Sequence, residues 1–131
     1  MMTPIEVTQE VFVHFGNADV DSILTLLADD VRIEFYGPPI IPYADRYSGL
    51  TEARRFFETV LSSVDIHVFD AEQFLCDGQM VTVTGKLHLT AKATGRDFRS
   101  DFVHVITVEN GKWQLFRDFM DTAAAVEAFK S

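Results

Sequence analysis

Apolar residues return along this chain at two periods, and the switches between them divide it into elements. Near the N-terminus Val7, Val11 and Phe15, flanked by Phe12, form one stripe at helical spacing. Thr3-Pro4-Ile5-Glu6 opens that helix with a capping threonine, a proline at the first helical position and a glutamate three residues after the cap. Gly16-Asn17 closes it. After Asp19, the residues Val20, Ile23, Leu24 and Leu27 recur at the spacing of a buried helical face and predict a second helix. Val31 to Tyr36 reads as a short strand. Leu50 to Val64 predicts a third helix, with Ala53, Phe56, Phe57, Val60 and Leu61 inward and Glu52, Arg54, Arg55 and Glu58 outward.

Between strand and third helix runs Gly37-Pro38-Pro39-Ile40-Ile41-Pro42-Tyr43-Ala44-Asp45-Arg46-Tyr47-Ser48-Gly49. Its three prolines preclude a regular element. Its Ile and Tyr residues call for apolar cover, so the loop is expected to fold back as a lid or wall. The second half alternates at period two over Ile66–Cys76, Met80–Lys92, Asp97–Val108 and Lys112–Asp121. The breaks are Asp77-Gly78, Thr94-Gly95 and Asn110-Gly111, each a hairpin signal. Ala123 to Phe129 closes the chain as a short helix. The order ααβαββββ, plus that helix, predicts one α+β domain over residues 1–131, a bent antiparallel sheet cradling the early helices.

Composition narrows the picture. A chain of 131 residues with 47% hydrophobic positions builds one core without staples. Twelve phenylalanines load that core with rings, some of which are expected to line a cavity. The net charge of −9 argues against nucleic acid and anionic membranes as partners, since phosphate binding needs clustered Lys and Arg. Cys76 is the lone cysteine, so neither an internal disulfide nor a Cys-based metal site can form. No apolar run reaches the ~18 residues of a spanning helix, and no Lys or Arg precedes Arg32, so a secretion signal is not expected and the cytoplasm is the default.

Several local motifs are similar to the nuclear transport factor two-like, SnoaL-like superfamily, which includes ketosteroid isomerase, polyketide cyclases, limonene-epoxide hydrolase and scytalone dehydratase. They are Leu27-Ala28-Asp29-Asp30-Val31, the Pro-rich loop with Tyr47-Ser48-Gly49, Asn110-Gly111-Lys112, and Arg117-Asp118-Phe119-Met120-Asp121-Thr122. Pro42-Tyr43-Ala44 and Asp121-Thr122-Ala123 look most like the ketosteroid isomerase-related subgroup. The resemblance implies a curved antiparallel sheet with three helices forming a cone-shaped pocket and, in many relatives, a two-fold dimer across the outer sheet face. It does not carry the isomerase chemistry over. The place of its carboxylate base falls on Phe35, its oxyanion tyrosine near Val11, and its protonated aspartate on His104. The closing-strand aspartate of the hydrolase and cyclases matches Asp118.

Two groups therefore stand out. His104 shares a strand face with Phe98, Ser100, Phe102, Ile106 and Val108, where a lone histidine is commonly a satisfied core residue. In a pocket it would instead donate to an oxyanion or shuttle a proton. Asp118 alternates with Phe116 and Met120, and a carboxylate there needs a partner, a raised pKa or water. Its plain reading is a structural salt bridge and its functional one a general base. Whether the two face each other depends on the Asn110-Gly111 turn. A two-residue loop sets His104 opposite Arg117, whereas a three-residue loop sets His104 opposite Phe116 and Phe102 opposite Asp118, and a one-residue slip flips every side chain. Asn-Gly favours the first and the resemblance the second, which is the expectation adopted.

Asp118 and Asp121 fall on opposite faces, and His14, His67 and His88 are dispersed in sequence, so no metal site is expected. The functional expectation is a cofactor-free acid–base enzyme on a small apolar ligand. Asp118 and His104 would be the working pair, Tyr36, Tyr43 and Tyr47 possible lid hydroxyls, and Phe35, Phe56, Phe57, Phe102, Phe116 and Met120 the wall. The rival is a non-catalytic ligand-binding or dimeric scaffold domain, and a homodimer is expected by resemblance in either case.

Overall fold

The computed structural model describes all 131 residues. Helix α1 (Pro4–Gly16) starts with the expected capping box: Glu6 N–H donates to Thr3 Oγ1 at 3.2 Å and Thr3 N–H donates to Glu6 Oε1 at 2.8 Å. Asp19 caps α2 (Val20–Leu24), accepting from Ser22 N–H at 3.1 Å. This helix is shorter than its apolar spacing predicts, because Leu27 belongs to the next strand. Strand β1 (Leu27–Phe35) is followed by the Pro-rich loop, β2 (Asp45–Ser48) and α3 (Gly49–Ser63). The four long strands β3 (Val64–Asp77), β4 (Met80–Ala91), β5 (Arg96–Glu109) and β6 (Lys112–Met120) then lead to α4 (Thr122–Phe129), which Asp121 caps.

The sheet has six strands in the order β2-β1-β6-β5-β4-β3. The α+β fold is the one expected, with two details added. Asp45–Ser48 forms an edge strand against β1, pairing Ile33 with Tyr47, inside the segment expected to be irregular. The prolines stop before it. And β1 runs parallel to β6, so the sheet is mixed rather than wholly antiparallel.

Strand β4 shows the alternation read from sequence, with Val81, Val83, Leu87, Leu89 and Ala91 buried toward the helices. Gly85 sits in the same inward row. A Cβ there would lie 1.9 Å from the Asp70 carbonyl oxygen and 2.6 Å from the Phe102 ring, so only glycine lets β3 and that ring approach. Trp113, 1% exposed, ties α1 to the sheet: its Nε1–H donates to Thr8 Oγ1 at 3.2 Å.

The turn between β5 and β6 follows neither expected register. Asn110 and Gly111 take φ of 53° and 74°, and Glu109 pairs with Lys112, as a two-residue loop requires. The register then shifts, because Val108 pairs with Trp113 but Thr107 pairs with Leu115. Gln114 is the extra residue of a β-bulge. Beyond it His104 lies opposite Asp118, Phe102 opposite Met120, and Phe116 opposite Ile106.

Candidate active site

A cavity of about 60 Å³ lies between α1, α3 and the inner face of the sheet. By the ~10–15 Å³ a single water needs, that is room for a few waters or a compact organic group. Of its 18 lining residues 16 are hydrophobic, and the two others are His104 and Asp118. Alternation and helical spacing assign Phe35, Phe56, Phe57, Phe116 and Met120 to the wall, and all five line it.

His104 is 3% exposed and rings surround it: Phe102 at 4.5 Å, Phe116 at 4.8 Å, Phe12 at 5.7 Å and Phe69 at 5.9 Å between centroids. Its Nε2 lies 3.2 Å from Asp118 Oδ1, within reach for proton transfer. Its Nδ1 is buried with no hydrogen-bond partner, a state that demands an explanation for a polar atom in an aromatic cage. Asp118 is mostly buried, with a side chain 16% exposed, and neither arginine nor lysine pairs with it. Arg117, its neighbour in sequence, points to the outer face and stacks its guanidinium on Phe119 at 5.9 Å.

The loop folds inward as its composition demanded. Ile41 and Tyr43 are 1% and 3% exposed, while Ile40 remains 40% exposed. Tyr43 lines the cavity and meets Phe35 edge-to-face at 4.9 Å. Burial, and secondarily the charge of Asp118, push its phenol far above the ordinary tyrosine range, so it stays protonated.

Two of the expected lid hydroxyls, Tyr36 and Tyr47, and one residue expected at the wall, Phe102, stand elsewhere, each for a local reason. Tyr36 follows inward Phe35 and so turns to the outer face, where it stacks on Phe119 at 5.3 Å and hydrogen-bonds Glu34. Tyr47 is buried, but its hydroxyl is used structurally, donating to the Tyr43 carbonyl at 2.9 Å. Phe102 lies over the space left by Gly85, stacked on Phe69 at 4.7 Å, and Phe69 takes the place at the cavity.

Sequence reading also passed over Trp113, Phe69 and the α1 residues Val11, Phe12 and Phe15, which belong to the wall. Trp113 stacks on Phe116 at 4.7 Å. Three residues apart on a regular strand they would face opposite ways, and the Gln114 bulge brings them to one face. Phe69 was hidden similarly, since β3 carries irregularities between Ile66 and Val68 and between Ala71 and Gln73. The α1 stripe was legible, but its destination was not.

A mixed sheet curled around helices, enclosing an apolar cavity with one histidine–aspartate pair, is a fold of the nuclear transport factor two-like type. The chain belongs to the SnoaL-like domain family, whose model matches residues 8–116. In overall structure it is similar to an NTF2-like protein of Burkholderia xenovorans LB400, at TM-score 0.89 and 25% identity over 97% of this chain and 95% of that one. An NTF2-like protein of Burkholderia pseudomallei K96243 matches at TM-score 0.87 and 27% identity over 100% of both chains. A candidate polyketide cyclase of Pseudomonas putida KT2440 shares the fold at TM-score 0.82 and 18% identity over 98% of both chains. Among curated proteins none matches by sequence. No helix is long and apolar enough to cross a membrane.

Proposed function

We propose that this protein is a cofactor-independent acid–base enzyme of isomerase, cyclase or hydrolase type, acting on a small, mostly apolar, oxygen-bearing compound. The observation that carries the reading is the 3.2 Å His104–Asp118 contact in a wall whose other lining residues are hydrophobic. Such a wall excludes water and strengthens every charge interaction inside it.

Each group has a definite task. Asp118 orients the imidazole through Nε2 and is the carboxylate that takes a proton from a substrate carbon or hydroxyl. The C–H electron pair then moves onto the substrate's oxygen. His104, held by Asp118 at Nε2, presents its unpartnered Nδ1 as the hydrogen-bonding group for that oxygen. Tyr43, held protonated, is a second donor on the same wall. Returning the proton to another carbon gives an isomerisation. Attack of the new carbanion on a second carbonyl gives a cyclisation. Membership in the SnoaL-like family supports the class of reaction.

The same reading takes the molecule as a cytoplasmic homodimer joined across the outer sheet face. Tyr36, Val103 and Phe119 are 39%, 36% and 37% exposed there and adjoin one another, Val103 opposite Phe119 across the strands and Tyr36 stacked on Phe119.

The test is proton exchange, which requires no knowledge of the product. A panel of small cyclic ketones and diketones is incubated with the protein in D₂O, and deuterium uptake beside the carbonyl is read by NMR. The expected result is catalysed exchange with at least one compound, reduced ~100-fold or more by Asp118→Asn, in keeping with loss of a general base, while the circular dichroism spectrum is unchanged. Compounds that bind and protect the fold against heat but exchange at the buffer rate would make the protein a binder instead.

A further inference from the structure

The strongest unassigned feature lies on the opposite face of the sheet. His67 on β3, His88 on β4 and Asp97 on β5, far apart in sequence, bring their ligand-type atoms within 4.8 Å of one another. The imidazoles lie 4.7 Å apart between centroids. His88 Nε2 is 2.9 Å from Asp97 Oδ2, and Thr90 bridges the group, its hydroxyl 2.6 Å from both His67 Nε2 and Asp97 Oδ1. Hydrogen bonds from Thr90 first, and then from His88, hold the Asp97 carboxyl below its usual range, so it is ionised at neutral pH.

Strand pairing builds this group. Asp97 is directly opposite Thr90, and Val68 is opposite His88 with a register shift between Ile66 and Val68. His67 is the residue of that irregularity, so it and Val68 both face His88 across the outer side. A sheet of paired strands holds the three side chains in place with little freedom to lose on binding. By contrast, the cavity pair of His104 and Asp118 lies on the inner face.

We propose that His67, His88 and Asp97 form a binding site for a divalent transition metal of the zinc class. Two imidazoles and one carboxylate are a donor set suited to Zn²⁺, Cu²⁺ or Ni²⁺ rather than to Mg²⁺ or Ca²⁺, which take oxygen ligands. Tetrahedral Zn²⁺ with bonds of ~2.0–2.2 Å needs ligand atoms a little over ~3 Å apart. Binding therefore requires the ligand atoms to draw together from their present spread, within 4.8 Å of one another. Three protein ligands leave the fourth position open to water or to another donor. Thr90 then serves as the outer partner that orients Asp97. The chain's charge of −9 favours a cation anywhere on its surface, but only this group offers two imidazoles with a carboxylate.

The experiment uses the full metal-stripped chain carrying Cys76→Ser, which removes the exposed thiol as a competing ligand. Zn²⁺ alone is titrated in by calorimetry at neutral pH. Saturable one-to-one binding is expected, weakened in His67→Ala and in His88→Ala by at least the ~10–100-fold that loss of a metal's supporting partner costs. His14→Ala, remote on α1, should bind like the parent. Because His67 is exposed, its variant keeps the fold even if the His88 one does not. Mg²⁺ in place of Zn²⁺ should give no saturable heat. Absence of one-to-one Zn²⁺ binding, or binding undiminished in His67→Ala, overturns the site.

Discussion

Tyr43 is where sequence position, burial and chemistry meet most directly. Its loop had to fold inward because Ile41 and Tyr43 carry apolar surface, and the resulting burial raises the phenol's proton affinity. The sign of the linked stability follows. A group whose folded pKa lies above its unfolded value contributes full stability below the unfolded value, near 10 for tyrosine, and loses it as pH rises beyond. Stability should therefore fall above about pH 10, and Tyr43→Phe should make that fall shallower without removing it, since Tyr36 and Tyr47 are also raised. Urea unfolding at successive alkaline pH values measures the slope. An unchanged slope in the variant would show that the Tyr43 phenol ionises as freely folded as unfolded. At this scale the sequence placed His104 and Asp118 as candidates from their apolar neighbours together with the family resemblance. It did not show that one imidazole nitrogen would meet the carboxylate and the other nothing.

The elements were legible where a single period ran unbroken, as in α1, α3 and β4. They were misread where one extra residue entered a strand. Gln114 is such a residue: the Asn-Gly dipeptide set its own two-residue turn, and the bulge that follows put His104 opposite Asp118 rather than Arg117. Neither candidate register contained that combination, because a bulge shifts the phase of an alternation without changing its period on either side. Gly85 is the complementary case, a glycine inside a strand that marks close approach. Gly85→Ala forces a methyl to within 1.9 Å of the Asp70 carbonyl. It should cost at least the ~1–3 kcal/mol typical of overpacking, read as a lower urea midpoint. Adding Phe102→Ala should relieve only the contact with the ring, since the backbone of β3 cannot yield as a side chain does. Full recovery in the double variant would mean that β3 moves freely.

For the molecule as a whole, the two faces of one sheet have separate destinies. The inner face closes on a cavity, and the outer face leaves Val103, Phe119 and Tyr36 in view. If two copies meet there, Val103→Asp with Phe119→Asp should halve the mass seen by sedimentation equilibrium. It should leave ligand binding in the inner cavity intact, because both residues point away from it. A wild-type chain that sediments as a monomer at all concentrations tested excludes the homodimer.

The sequence by itself determined the order of the major elements, the α+β class, the inward folding of the Pro-rich loop and part of the wall. Those depend on local periodicity, capping and turn chemistry, each readable within a short window. Tertiary structure alone decided three things. Strand register, adjusted by bulges, put Asp118 against His104. The space over Gly85 drew Phe102 away from the wall, with Phe69 in its place. And the pairing of three strands gathered His67, His88 and Asp97, whose separation in sequence concealed any relation. The common reason is that cross-strand neighbours are set by hydrogen-bond register, which one inserted residue resets without changing the composition or the period on either side.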